Sequence, residues 1–265
     1  MRTRSIASRL LAASLLVLSA FTLASARQDD ENDPARVAAL VRDAVKARGG
    51  DVYLRVTTVV SRGQYTSYEK GVSGNPVSFV DYIAYPGRER TEFGTGNDKF
   101  VQANSEIANW VYDGSQRMIR DQKEEQVRQF QQGLRYDLDG LLRLAAKAPA
   151  DIKLVFRGHR EIWRNVFADS VRIDFADGGS ATLNFDSRTK LPVSSEYKTV
   201  SEQGQVSNEV RFFRWVEFGG ILFPTVQDFY RNGQQTAHVS FDDVLFNTAI
   251  PDKMFVKPLN IKEVK

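Results

Sequence analysis

The 265-residue chain holds few side chains able to do covalent chemistry: two histidines, His159 and His238, and no cysteine. Without a thiol there is no thiolate nucleophile, zinc-thiolate site, iron-sulfur site or lipid-bearing N-terminal cysteine. Neither histidine has a second imidazole near it in sequence, and no His-Glu-x-x-His, nucleophile elbow, phosphate loop or dinucleotide fingerprint occurs. His238 and Asp242 sit four apart in an alternating run and share a strand face, so with Asp243 they could hold a metal. Solvated edge residues explain them equally well, and no metal is expected. No serine stands beside a base oriented by a third group, which a serine nucleophile requires. Gly178-Gly179 and Gly219-Gly220 read as hairpin glycines before phosphate cradles. No catalytic residue, cofactor or enzymatic activity is therefore expected, and an exported hydrolase ranks third among the readings.

A carrier of hydrophobic ligands needs different parts: a curved sheet with one apolar face, a cover, and large apolar linings. The chain has the elements for these. From Val171 to Phe246, five or six alternating runs follow one another as an antiparallel meander. At its centre the run Leu183 to Val193 forms a hairpin around an aspartate turn, and Asp177-Gly178-Gly179 and Asn232-Gly233 are further turns. Val210 to Phe218 and Ile221 to Tyr230 carry aromatics on both faces, which places them centrally or against a second apolar space. Upstream, Asp33-Pro34 caps a helix with Val37, Leu40, Val41, Ala44 and Val45 on one face, ended by Gly49-Gly50. Strands are expected over Val52–Val60, Val77–Tyr85 and Trp110–Tyr112. Between Asp121 and Ala148 the period turns helical, predicting two helices split near Gly133, with Asp137 capping the second and Pro149 stopping it.

Arg2, Arg4 and Arg9 precede an apolar run of about 14 residues from Leu10 to Leu23, followed by Ala24-Ser25-Ala26. This is the pattern of a secretory signal peptide cleaved after Ala26, and the run is shorter than the roughly 20 residues a spanning helix needs. A retained anchor is the alternative. Residues 27–33 read as a flexible lead and 34–265 as one domain. Cleavage removes 3 of the 36 basic residues and none of the 33 acidic ones, leaving 33 against 33. A near-neutral chain argues against nucleic acid, which needs a gathered excess of Lys and Arg. With no disulfide available, the exported domain must rest on its hydrophobic core.

The order of these pieces resembles the LolA/LolB-like superfamily of bacterial lipoprotein-sorting proteins. The residues that carry the likeness are the helix ending Gly49-Gly50, Tyr85-Pro86-Gly87-Arg88-Glu89-Arg90-Thr91-Glu92-Phe93, Asn109-Trp110-Val111-Tyr112-Asp113-Gly114, the segment 121–148, Phe185 to Pro192, Gly219 to Pro224, and Asn247 to Phe255. The resemblance implies an α+β, mainly β fold: an unclosed antiparallel barrel, or curved sheet, with an N-terminal helix and a helical lid. It also implies a periplasmic carrier for lipoprotein acyl chains or another lipid. The candidate lining is Val111, Phe130, Leu134, Leu138, Leu141, Phe185, Phe212 and Phe229, residues that could equally be ordinary core. In the family's soluble carrier an arginine directly before the strand's proline latches the lid. Here Tyr85 stands there, and Arg88 and Arg90 follow, making these three the latch candidates. The missing cysteine departs from the family's receptor, which is itself a lipoprotein. A monomer is expected, and the second reading is a non-enzymatic envelope module that binds a membrane-protein partner.

Overall fold

The computed structural model describes residues 33–201 and 204–264, so the expected signal peptide and residues 27–32 of the lead lie outside the described residues. Helix α1 spans Pro34–Ala47, with the Asp33 carboxylate accepting from the Ala35 amide and proline at the first helical position. A single helical turn, α2 (Asp51–Leu54), precedes strand β1 (Thr58–Glu69). The strand expected over Val52–Val60 is thus a helical turn followed by a strand beginning at Thr58. Val52, Leu54 and Val56 satisfy a strand period, but only Tyr53 of the turn is buried, while Val52 and Leu54 face outward.

Strands β2 (Val72–Ser73), β3 (Val77–Ala84), β4 (Arg88–Phe93), β5 (Phe100–Asn104), β6 (Asn109–Asp113) and β7 (Met118–Asp121) form the first meander. Helices α3 (Glu124–Tyr136) and α4 (Leu138–Lys147) follow. Strands β8 (Ile152–Trp163), β9 (Val166–Phe175), β10 (Ser180–Asp186), β11 (Pro192–Ser201), β12 (Gly204–Phe218), β13 (Ile221–Arg231) and β14 (Gln234–Phe246) form the second. All join one antiparallel sheet of 14 strands in the order β7-β6-β5-β4-β3-β1-β14-β13-β12-β11-β10-β9-β8, with β2 beside β1. The sheet does not close on itself. Its two edges, β7 and β8, are consecutive in sequence, and the helical pair α3–α4 is the connection between them.

The break between α3 and α4 falls at Asp137 and not near Gly133. Gly133 is accommodated inside α3, where no neighbour crowds it. Asp137 adopts an extended backbone and its carboxylate accepts from the amides of Asp139 and Gly140, satisfying donors that a helix start leaves open.

The main core lies between one face of the sheet and the helices. Val37, Leu40, Val41, Ala44 and Val45 of α1 and Leu138, Leu141, Leu142 and Ala145 of α4 pack with Val171, Ile173, Leu183 and Phe185 from the sheet. On β12, Arg214 has a positive φ of 52°; Phe212 and Trp215 both reach the main core, while Phe213 pairs instead with Trp163. The aromatics on both faces of this strand therefore serve two contacts, and only one of them is the core. A smaller second core, Val101, Ala103, Trp110 and Val264, seals the opposite face of β5 and β6 under the C-terminal segment.

The end of α1 approaches the β12–β13 turn closely. A Cβ on Gly49 would lie 2.5 Å from the Gly220 carbonyl oxygen, and Gly49 has φ +123°. Gly49→Ala is expected to cost about 1–2 kcal/mol in chemical denaturation, because a side chain there is strained and pushes the two segments apart.

Candidate functional site

Above the sheet face that α3 and α4 cover lies a cavity of about 350 Å³, within the range of small-ligand sites. Its apolar walls come from Val59 and Tyr65 of β1, Phe79 and Ile83 of β3, Phe93 of β4, Phe223 and Phe229 of β13, Val239 and Phe241 of β14, and Leu134 and Leu138 of the helices. The alternation of each strand sends these side chains to one face. Tyr65 and Phe93 meet edge-on with centroids 5.8 Å apart, and Phe79 and Phe241 do so at 5.6 Å.

At one side of this cavity α4 is held by a buried polar clasp. Asp139, in the first turn of α4, pairs with the guanidinium of Arg48, the residue that ends α1. The Tyr53 hydroxyl donates to Asp139 Oδ1 at 3.0 Å and the Tyr85 hydroxyl to Oδ2 at 3.2 Å. Arg48 is 1% exposed, and its Nε also donates to the Leu222 carbonyl. Arg143, one turn further along α4, donates to the carbonyls of Val56 and Tyr53 and lies over the rings of Tyr53 and Tyr85. Burial pulls the Asp139 carboxyl upward, but the charges of Arg48 and Arg143 prevail and hold it below the usual range. Burial pushes the Tyr53 and Tyr85 hydroxyls up, so both remain protonated donors.

A second polar feature crosses the cavity floor. Ser61, Asp81 and Thr91 are cross-strand partners on β1, β3 and β4, and Ile83 and Glu89 form the next row. The Thr91 hydroxyl lies 2.8 Å from Asp81 Oδ1 and 3.4 Å from Glu89 Oε1. No cation forms an ion pair with Asp81 or Glu89 among the described residues. Burial pushes the Asp81 carboxyl up to about 7, against the hydrogen bonds from Thr91 and the Tyr82 amide and with help from the charge of Asp137. Burial and then the charges of Asp81 and Asp137 hold Glu89 well above the carboxylate range. Across the cavity Asp137 is raised to about 6 by burial and by Asp139.

Of the residues singled out in the sequence, Leu134, Leu138, Phe229 and Tyr85 line this cavity. Leu141, Phe185 and Phe212 are buried in the main core. Val111 is fully buried on the strand face shared with Gln102 and Thr91, beyond the cavity lining, and Phe130 is half-buried on α3 outside both cores. Tyr85 joins the clasp through its hydroxyl. Arg88 and Arg90 face away: Arg88 pairs with Asp252, and Arg90 pairs with Glu92 and donates to the carbonyls of Met254 and Val264, pinning the C-terminal segment. His238 meets Asp228 at 2.6 Å, and no cluster fit to hold a metal ion occurs among the described residues. The sequence pattern does not single out Ser61, Asp81, Arg48 or Asp139, and marks Glu89 only as part of the run Tyr85 to Phe93. The one local signal was a carboxylate in the alternating run Phe79-x-Asp81-x-Ile83, and it was blurred because Val80 and Ala84 make the other face apolar too.

An unclosed, curved antiparallel sheet covered by an N-terminal helix and a two-helix lid defines the class: the fold is LolA-like. Solved structures share it. A DUF1329 family protein from Desulfovibrio piger matches with a TM-score of 0.56 at 16% identity, covering 83% of this chain and 97% of that one. A LolA superfamily protein from Nitrosomonas europaea matches with a TM-score of 0.52 at 12% identity, over 83% and 96% of the two chains. A protein described as an outer-membrane lipoprotein-sorting domain, from Vibrio parahaemolyticus, matches with a TM-score of 0.51 at 10% identity, over 82% and 95%. No protein-family model matches the sequence, and no curated protein is significantly similar to it.

Proposed function

We propose that this protein is a non-enzymatic carrier of the cell envelope that holds the acyl chain of a lipid or lipoprotein between the sheet and the lid α3–α4. The observation that carries this reading is the cavity itself. Aromatic and aliphatic side chains from five neighbouring strands, β4, β3, β1, β14 and β13, and from the lid bound it. Each methylene taken from water into such a lining contributes about 0.8 kcal/mol, so a chain is held without any ionic contact. Leu134, Leu138 and Phe229 are the lining residues assigned to the chain, and Tyr85 the residue that fastens the lid. The likeness to a structure described as a lipoprotein-sorting domain supports the reading, as does the leader pattern of residues 1–26, which is that of an exported protein. No helix among the described residues is long and apolar enough to cross a membrane.

Native mass spectrometry of protein purified from the envelope fraction without detergent tests this. The expected result is a discrete adduct of lipid mass that Leu134→Gln removes while the circular dichroism spectrum is retained. A clean unliganded mass, with no uptake of added fatty-acyl probes or lipopeptides, overturns the carrier assignment in favour of a protein-binding module.

A further inference from the structure

The cavity carries more polar chemistry than an acyl chain requires. Asp139 is accounted for by the clasp, and one oxygen of Asp137 by the cap of α4. Asp81 and Glu89 have no comparable duty: their shared neighbour is the Thr91 hydroxyl. Arg48, the one cation in the cavity lining, is committed to Asp139. Directly beside Asp81 in the cross-strand row, Ser61 is 3% exposed, lines the cavity, and its hydroxyl has no partner among the described residues. A hydroxyl that lines the cavity without a protein partner is free to accept a hydrogen bond from whatever enters. The polar floor thus offers two carboxyl groups and a hydroxyl oxygen as acceptors, flanked by the rings of Tyr65, Phe79 and Phe93.

We infer that the ligand of this cavity is amphipathic and that its polar end is a cation, an alkylammonium group seated on Asp81, Glu89 and Ser61 with its chain along Leu134, Leu138 and Phe229. This inference rests on the carrier reading and names the class of its cargo. An ammonium has three N–H donors, matching the three acceptors, and it neutralises the carboxylate charge that no protein group offsets. The adjacent aromatic faces add cation–π attraction. A carboxylate or phosphate head would meet the charges of Asp81 and Asp137. The absence of a ligand-competent metal cluster among the described residues favours an organic cation over a metal ion.

Three chains of equal length separate the possibilities. The purified protein is titrated by calorimetry at about pH 7.5, where an alkylamine is charged and an alkanoate is anionic, with decylamine, decanol and decanoate. Decylamine is expected to bind roughly tenfold more tightly than decanol, with decanoate the weakest. In the Asp81→Asn, Glu89→Gln double variant the amine and the alcohol should become equal while decanol binding persists. Decanol matching decylamine in the unmodified protein, or decanoate being preferred, overturns the inference and leaves the carrier reading intact. Preference for the amine that survives the double variant also overturns it. Failure of all three chains to bind defeats both. The comparison on the unmodified protein decides the matter even if the variant does not fold.

Discussion

Replacing Asp139 with alanine should destabilise the protein by about 3–5 kcal/mol, the cost of leaving a buried charge without its partner. The stranded group would be Arg48, which is 1% exposed and whose guanidinium has, among the described residues, no other hydrogen-bond partner than the Leu222 carbonyl. Two tyrosine hydroxyls, from Tyr53 and Tyr85, would lose their acceptor in the same change. Thermal unfolding should show a fall of roughly 10 °C, given about 2–4 °C per kcal/mol for a domain of this size. Hydrogen exchange should show residues 124–147 losing protection first, since the clasp ties the lid to α1, α2 and β3. Asp139→Leu combined with Arg48→Met should recover much of the loss, because an apolar pair carries no desolvation penalty. If the double variant is no better than Asp139→Ala, the charge pair is not what fastens the lid. The pH dependence has a definite sign. Asp139 titrates below its unfolded value, so its contribution is complete above about pH 4 and is lost as pH falls through the lowered value. Acid should loosen the lid.

Asp81→Asn should do the opposite and stabilise the unliganded protein by about 2 kcal/mol above neutral pH. The groups facing Asp81 are Glu89 and Thr91 from β4, Ser61 and Tyr65 from β1, Asp137 and Asp139 from the lid, and Arg48 from the end of α1. Of these, only Arg48 is cationic, and Asp139 holds it. A carboxyl raised from about 4 to about 7 binds its proton more tightly in the folded state. Its cost is therefore absent below about pH 4, grows between about pH 4 and 7, and is constant above. At face value a shift of this size corresponds to about 4 kcal/mol; solvent reaching the half-buried group through the cavity reduces it by about half. Melting temperatures measured across this range should fall with rising pH in the unmodified protein and stay nearly level in Asp81→Asn. Glu89 acts in the same direction. A parallel pair of curves would show that Asp81 bears no such cost.

Much of the fold could be read in the residues. The Asp33-Pro34 helix start, the hairpins at Asp177–Gly179 and Asn232-Gly233, and the two helices before Pro149 lie close to where periodicity and turn chemistry place them. These signals are local. The turn Asp51–Leu54 is ambiguous in sequence because Val52, Leu54 and Val56 fit a strand equally well, and the outcome depends on Tyr53 finding a buried place against Asp139. The site was less legible for the same reason. Leu134, Leu138 and Phe229 could be drawn from the apolar pattern, yet nothing in that pattern separates a cavity wall from the packed core that took Leu141, Phe185 and Phe212. The clasp depends on Arg48 and Asp139, 91 residues apart, and the polar floor on register across β1, β3 and β4. Neither pairing leaves a mark in any short stretch.

The seam between β1 and β14 joins Val59 to Phe246 and Ser67 to Ala237, so strands near the two ends of the described chain are neighbours in the sheet. The first meander can pair strand by strand as it emerges, and so can the second, but the outer edge of β1 has nothing to bond until the last strand has been made. Contacts this distant in sequence slow folding, because the loop between them must be closed first. The cavity straddles the seam, with Ser61 and Tyr65 on one side and Val239 and Phe241 on the other. A chain cut short before residue 234 would have its lid helices and most of its sheet but an open, unpaired β1 edge and an incomplete cavity. The cavity is therefore completed last, by the final strand.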